Sequence, residues 1–364
     1  MLNKAKQFFT IWYRFLILLV FLALSVWLLQ HTKVTSPKEH YDHMLEAAER
    51  AAACFSAIKD EKLARGLTID PVADPNETGM IGDQFTDITT THGMLEAKRS
   101  STNPNVAAMI CDMLLSCGVK KDSLVAVNLS SSFPALNIAV ECALDTIGAK
   151  GIIANSIGSS TYGANIPEFT YLDMEQLLLE KGLISNHASI YSEGGANDIA
   201  SDLLFPEAMS SILERVSGYG LTYIHEEDLT ENLDKRMNLY EAAAGDLSSI
   251  VCFINAGGNL VGFGGDAMGD AASGILDPST EISGDGLAQR FLSQDTPVIH
   301  LLDMKNLLPE YGLPFDPVPL PEAGQGTVYT QTAVNKPLAV VLVIISLLLF
   351  VNAAKHFPRR RFPL

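Results

Sequence analysis

Three adjacent serines, Ser130, Ser131 and Ser132, follow the apolar run Leu124-Val125-Ala126-Val127 and precede Phe133-Pro134, where helical periodicity begins. Hydroxyls where a buried strand hands over to a helix can act as a nucleophile, an anion cradle or a helix cap. Asn137 follows in the first helical turn. No Gly-x-Ser-x-Gly elbow surrounds the serines. A Ser/His/acid set would have to draw on Ser131 or Ser132, on His92, His225 or His300, and on Asp173 or Asp198, all distant in sequence. A second candidate is the hydroxyl-rich stretch from Thr86 to Asn105. There Thr89, Thr90 and Thr91 precede Glu96, Lys98 and Arg99, two cations in an acidic chain that suit a charge-assisted grip on an anion. The alternative for Lys98 and Arg99 is pairing with nearby acids on a helix face.

The elements that must position these groups follow from periodicity. Short apolar, β-branched segments at Leu124–Leu129, Gly151–Asn155, Ala188–Tyr191, Leu221–Ile224, Ile250–Asn255 and Pro297–Leu302 read as strands. Helical patterns at Ala135–Ile147, Met174–Lys181, Pro206–Val216 and Leu233–Ala244 lie between them. Such alternation predicts an α/β domain with a doubly wound, mainly parallel sheet. Ligands in such sheets bind beyond the carboxyl ends of the strands. The loops there are rich in Gly, Ser and Asn: Ser159, Ser160 and Asn165 after the second strand, Gly194, Gly195, Asn197 and Asp198 after the third, and Gly257 and Gly258 after the fifth. Their backbone N–H groups could approach a carboxylate or phosphate. "GFGGDAMG" (Gly262 to Gly269) has the wrong spacing for a dinucleotide fingerprint, and no phosphate-loop motif occurs. No cofactor and no metal is expected. His40 and His43, three apart, read as solvated.

Two apolar stretches bracket this domain. Ile11 to Leu29 is broken by Arg14 and Ser25, and Pro337 to Ala354 carries no charge. Each has the length to span a bilayer. No cleavage site follows the first, so it reads as an uncleaved anchor rather than a signal peptide. Lys4, Lys6 and Arg14, before or within the first span, and Lys355, Arg359, Arg360 and Arg361, after the second, predict a two-pass protein with both termini cytoplasmic and the main domain extracytoplasmic. The expected organisation is 1–30 tail and first span, 31–67 stalk or packing helix, 68–308 α/β domain, 309–336 Pro-rich linker, 337–354 second span and 355–364 basic tail. All 42 acidic residues lie between the spans, a surface that repels nucleic acid. Cys54, Cys111, Cys117, Cys142 and Cys252 lie on apolar patterns and read as buried thiols, with one bridge such as Cys111–Cys117 left open.

The runs "TGMIGDQFTDITTTHGMLEAKRSSTNPNVAAMI", "SSSFPALNIAVECAL", "SIGSSTYGANIPEFTYLDME" and "GGAND" resemble the bacterial family called poly-gamma-glutamate system protein. The resemblance covers nearly all of the outer domain. The family pattern often has Pro where Asp87 stands and Leu where His92 stands, which argues against a catalytic His92. The resemblance implies an accessory component of the membrane machinery that polymerises and exports poly-gamma-glutamate, with synthase or export subunits as partners and the glutamyl polymer as a possible ligand. It supplies no chemical activity. Three readings stay open: an outer domain that binds polymer, a chain end or a subunit; a serine-dependent hydrolase or transferase that trims, releases or anchors the polymer; and a scaffold with no ligand site.

Overall fold

The computed structural model describes residues 2–201, 203, 205–264 and 272–355. Positions 265–269 of the "GFGGDAMG" run, the tail residues Arg359, Arg360 and Arg361, and the side chains of Lys4 and Lys6 lie outside the described residues. In chain order the elements begin with α1 (Leu2–His31), β1 (Val34–Pro37), α2 (Tyr41–Ala64), α3 (Leu95–Ser101), α4 (Asn105–Ser116), β2 (Leu124–Ser130) and α5 (Pro134–Ile147). They continue with β3 (Lys150–Ser156), α6 (Tyr171–Glu180), β4 (Ala188–Ser192), α7 (Pro206–Val216), β5 (Thr222–Tyr223), α8 (Leu229–Ala244) and β6 (Ile250–Ala256). The last are α9 (Leu260–Phe263), β7 (Gly274–Leu276), α10 (Leu287–Leu292), β8 (Val298–Leu301), α11 (Met304–Glu310), β9 (Thr330–Ala333) and α12 (Lys336–Ala354).

Two compact units result, one made of the chain ends up to Glu39 and from Thr330, the other of His40–Tyr329. In the first, β1 and β9 pair antiparallel, Val34 opposite Ala333 and Pro37 opposite Thr330. Trp12–His31 and Lys336–Ala354 are long and apolar enough to cross a membrane. Their helices touch, and Arg14 Nη1 donates to both the backbone carbonyl and the side-chain oxygen of Asn352 at 3.3 Å. A cation among apolar residues needs such acceptors.

The second unit is an α/β domain around a seven-stranded sheet of order β5-β4-β3-β2-β6-β8-β7. Every neighbouring pair is parallel except β7 with β8. The mainly parallel sheet agrees with the alternating pattern of the sequence. The antiparallel edge strand does not, because three residues carry too little periodicity to be recognised. One face is covered by α2, α4, α5, α6 and α7, the other by α8, α9 and α10. Helix α2 is a core element: Met44, Ala47, Ala48, Ala51, Cys54, Phe55 and Ile58 are buried at helical spacing. Each large apolar side chain among them contributes roughly 1.5–3 kcal/mol by leaving water. Pro134 at the first position starts α5, and Gly148 at φ 74° ends it.

The Pro-rich segment expected as a linker from 309 is anchored to the domain at several points. Pro309 lies inside α11, Leu313, Val328 and Tyr329 are buried, and the Tyr329 hydroxyl donates to Asn105 Oδ1 at 2.5 Å. Apolar residues spaced among prolines give no periodic signal, so their burial is decided by what they land on. All five cysteines are free. Cys111 does not bridge Cys117; Cys117 instead lies beside Cys252, and Cys54 and Cys142 form a second close pair with sulfurs 3.7 Å apart.

Candidate functional site

Strand order reverses at β2, whose neighbours are β3 on one side and β6 on the other. The loops leaving the carboxyl ends of these strands diverge there, the arrangement that opens a crevice in a doubly wound sheet. A cavity of about 350 Å³ lies at this point. From the strand ends come Ser132 and Phe133 after β2, Ser160 after β3, Gly258 after β6, and Leu302, Asp303, Met304 and Lys305 after β8. Thr91, His92, Gly93, Met94 and Ala97, from the hydroxyl-rich segment and α3, complete the wall.

Backbone pairing seats the hydroxyl-rich segment. Thr90 N–H donates to Ser159 O at 2.9 Å, Thr161 N–H to Thr91 O at 2.9 Å and Tyr162 N–H to Asp83 O at 2.8 Å. Asn165 pins the same two strips: its Nδ2 donates to Asp83 O and to Thr89 Oγ1, and its Oδ1 accepts from Asp83 N–H. Thr89, Thr90, Ser159 and Asn165 thus hold the wall together rather than face a ligand.

The three serines separate in role. Ser130 Oγ accepts from Ser132 N–H at 3.3 Å, and Gly257, at φ 93°, packs its backbone on Ser130. Ser131 is wholly buried and donates its hydroxyl to Ser156 O, so it is a turn fastener. Asn137 is likewise internal, giving Nδ2 to Ser130 O at 2.9 Å. Ser132 reaches the cavity, and its Oγ accepts from Ser160 N–H at 3.0 Å. Ser160 is the better-placed hydroxyl, because Lys98 Nζ lies 2.8 Å from its Oγ.

Lys98 and Arg99 turn in opposite directions from α3. Arg99 does not reach the cavity: it clamps Asp316, Nε to Oδ1 at 2.7 Å with Nη2 on the other oxygen. The expected pairing with an acid is real for Arg99, but the acid lies 217 residues away and not on the same helix. Lys98 is 1% exposed and its ammonium sits under the cavity floor. Nζ donates to Ser132 O, meets Ser160 Oγ and lies 4.6 Å from the centre of the Phe133 ring. Among the described residues no carboxylate pairs with it. Burial therefore pushes its pKa down to about 7. Gly93 leaves room for this arrangement, since a Cβ there would stand 2.7 Å from both Lys98 Cε and Ser160 Oγ. Glu96 is exposed on the outer side of α3.

The loop after β4 forms a separate cluster. Asp198 is 2% exposed and meets Arg236 Nη2 at 2.6 Å, Ser192 Oγ at 2.8 Å and Asn232 Nδ2 at 3.0 Å. Gly194 and Gly195 shape the turn before it at positive φ, and Asn197 is exposed. None of these four residues lines the cavity.

No Ser/His/acid set assembles among the described residues. His225 pairs with Glu193 at 2.8 Å, and Asp173 is taken by Arg215, Tyr219 and its own helix cap. His300 is buried against Phe263 with its pKa pushed down to about 4 by desolvation. His92 lines the cavity but stacks edge-on with Phe85 and contacts no serine. Of the expected residues, Thr91, Ser132, Ser160 and Gly258 line one cavity, with Lys98 beneath. Asp303 and Lys305 were missed, although the strand-end rule, applied to the strand before them, points there. Comparison with protein-family models, with curated proteins and with solved structures finds no match for the chain.

Proposed function

We propose that this chain is an accessory integral-membrane component of poly-gamma-glutamate synthesis or export, whose His40–Tyr329 domain binds a glutamyl chain end. In this reading both termini are cytoplasmic, the domain is extracytoplasmic, and synthase or export subunits are its partners in the membrane. The observation that carries the reading is the cavity at the strand-order reversal. In a chain of net charge −17, its wall holds the exposed Lys305, the hydroxyls of Thr91, Ser132 and Ser160, and a buried lysine below. Asp303, the acid on the wall, is occupied as the cap of α11, accepting from Asn306. Lys305 and these hydroxyls offer a carboxylate charge-assisted hydrogen bonds although the surface as a whole repels one. A chain end, rather than the polymer's length, suits a site of this size. The two apolar helices support tethering to the membrane that carries the polymerising machinery.

Titrating glutamyl oligomers into the full-length protein in detergent, by calorimetry, tests the ligand. Binding should weaken about tenfold in Lys305→Ala, the worth of one charge-assisted contact at ~1.5 kcal/mol. Absence of heat with oligomers of every length would remove the ligand from this reading. Deleting the protein in a polymer-producing bacterium tests the process, and unchanged polymer amount and length would remove that part.

A further inference from the structure

The cavity floor holds the parts of a serine–lysine pair. We infer that Ser160 is a nucleophile and Lys98 its general base, and that together they carry out acyl transfer on an amide bond presented in the cavity. The inference deepens the proposed function, resting on the same cavity and the same γ-glutamyl class of ligand.

The geometry distinguishes Ser160 from its neighbours. Lys98 Nζ touches Ser160 Oγ at 2.8 Å, whereas it meets Ser132 through the backbone carbonyl. Ser131 is wholly buried with its hydroxyl committed to Ser156 O. Ser160 lines the cavity, so its Oγ joins base and ligand space. A carbonyl can only accept, so Nζ must donate to Ser132 O. That fixes the amine's orientation and leaves its lone pair, when neutral, for the Ser160 hydroxyl proton. A lysine serves as a base only if it is not held as a cation. Lys98 is 1% exposed and among the described residues has no carboxylate partner, and its pKa of about 7 is consistent with that setting. Lys62 is the internal control. It too is 2% exposed and has a lowered pKa, but its Nζ goes to the carbonyls of Ile81, at 2.6 Å, and Gly79, at 3.4 Å. Among the described residues no hydroxyl bonds to it, and it does not line the cavity. Lys62 is a fastener; Lys98 has a fastener's burial plus a hydroxyl at its tip. Beside the pair, α5 starts at Pro134, directly after the lining residue Phe133, with no side-chain cap on its N-terminus. The positive end of its helix dipole favours an oxyanion formed nearby.

The chemistry balances without a further reagent. As Ser160 Oγ bonds to the amide carbonyl carbon, its proton passes to Lys98 Nζ and the carbonyl oxygen takes the negative charge. Collapse breaks the C–N bond, and the Lys98 ammonium returns the proton to the departing amine. The acyl–Ser160 ester is then attacked by water or by an amine. Lys98 takes that proton, the Oγ–C bond breaks, and Oγ regains its hydrogen from Nζ. Water as acceptor gives trimming; an amine gives transfer.

A fluorophosphonate probe on the full-length protein in detergent tests the pair, with the adduct mapped by mass spectrometry. We expect one adduct, on Ser160, whose rate rises with pH and levels off above about pH 7 to 8 as Lys98 loses its proton. Lys98→Met should slow labelling at least ~100-fold, with methylamine restoring part of it in Lys98→Ala. Ser210→Ala, at an exposed serine of α7 that does not line the cavity, should label within a few-fold of wild type. Labelling that persists in Ser160→Ala, or a wild-type rate flat between about pH 6 and 9, would overturn the inference. So would no adduct in wild type, a result that needs no variant to fold. Calorimetry with glutamyl oligomers on the same sample separates the two readings. Oligomer binding without an adduct removes the catalysis and leaves the binding site. An adduct without oligomer binding keeps the pair and removes the glutamyl ligand.

Discussion

Arg236 and Lys98 are both buried cations near the carboxyl ends of the same sheet, and they are held in opposite ways. Arg236, on α8, is 1% exposed and fully engaged: Asp198 and Ser192 on Nη2, Asn232 on Nε and Asn128 at 3.5 Å on Nη1. Lys98 is equally buried, yet it meets one carbonyl, one hydroxyl and the face of a ring. Guanidinium keeps its charge at any accessible pH and demands a planar set of acceptors. An amine deprived of a counter-ion gives up its proton instead. The first cluster is closed and rigid; the second remains chemically responsive and opens on a cavity. The difference separates structural polarity from functional polarity within one sheet edge.

Removing Arg236 should break the closed cluster hardest. Arg236→Met leaves the Asp198 carboxylate buried without a cation and should cost about 3–5 kcal/mol in denaturant unfolding. Adding Asp198→Asn should recover a good part of that loss. If the single change costs under about 1 kcal/mol, the closed cluster is not the fastener described.

Lys98→Met should act in the opposite direction. Lys98 has a folded pKa of about 7 against 10.5 unfolded, so the unfolded chain holds the extra proton between those values. Wild-type stability therefore rises with pH across that window, and the full cost of burying the cation is present below about pH 7. The Met variant should be more stable by about 1–4 kcal/mol at pH 6, with the gain shrinking toward pH 10. Equal stability loss at both pH values would mean that Lys98 is held charged like Arg236.

A buried acid pair sharpens the same contrast from the other sign. Glu141 and Glu175 are both fully buried, and loss of water, first of all, pushes both carboxyls up, Glu141 well above the ordinary value. A raised folded pKa gives stability at low pH that is lost as pH climbs from the ordinary carboxyl range through the raised one. Glu141→Gln keeps an acceptor for the Tyr171 hydroxyl, now 2.6 Å from Glu141 Oε1. Its urea midpoint should therefore fall less between about pH 5 and 9 than that of wild type, by the equivalent of about 1–2 kcal/mol.

The smallest effect belongs to Arg99. Its bidentate pair with Asp316 is partly exposed, with side-chain exposures of 18% and 21%. Arg99→Ala should cost about 1 kcal/mol of stability and leave glutamyl-oligomer binding within twofold of wild type. A larger loss of binding would return Arg99 to the cavity.

The strands and long helices were legible because hydrophobic periodicity is local: Leu124–Ser130, Ile250–Ala256 and Pro206–Val216 carry their signal within their own residues. The two apolar helices are equally plain, and so is the position of the strand-end loops that build the cavity wall. The roles within those loops were not legible. Ser130, Ser131 and Ser132 are identical in type and adjacent, and they differ only in which carbonyl or N–H the folded chain sets against each. Lys98 and Arg99 read as one basic pair, until burial gave Arg99 an acid from the far end of the chain and, among the described residues, gave Lys98 none. The sequence by itself settled which residue types reach the sheet's carboxyl edge. Tertiary structure decided which of them keep a counter-ion, because desolvation and pairing depend on neighbours that lie 34 to 217 residues away along the chain.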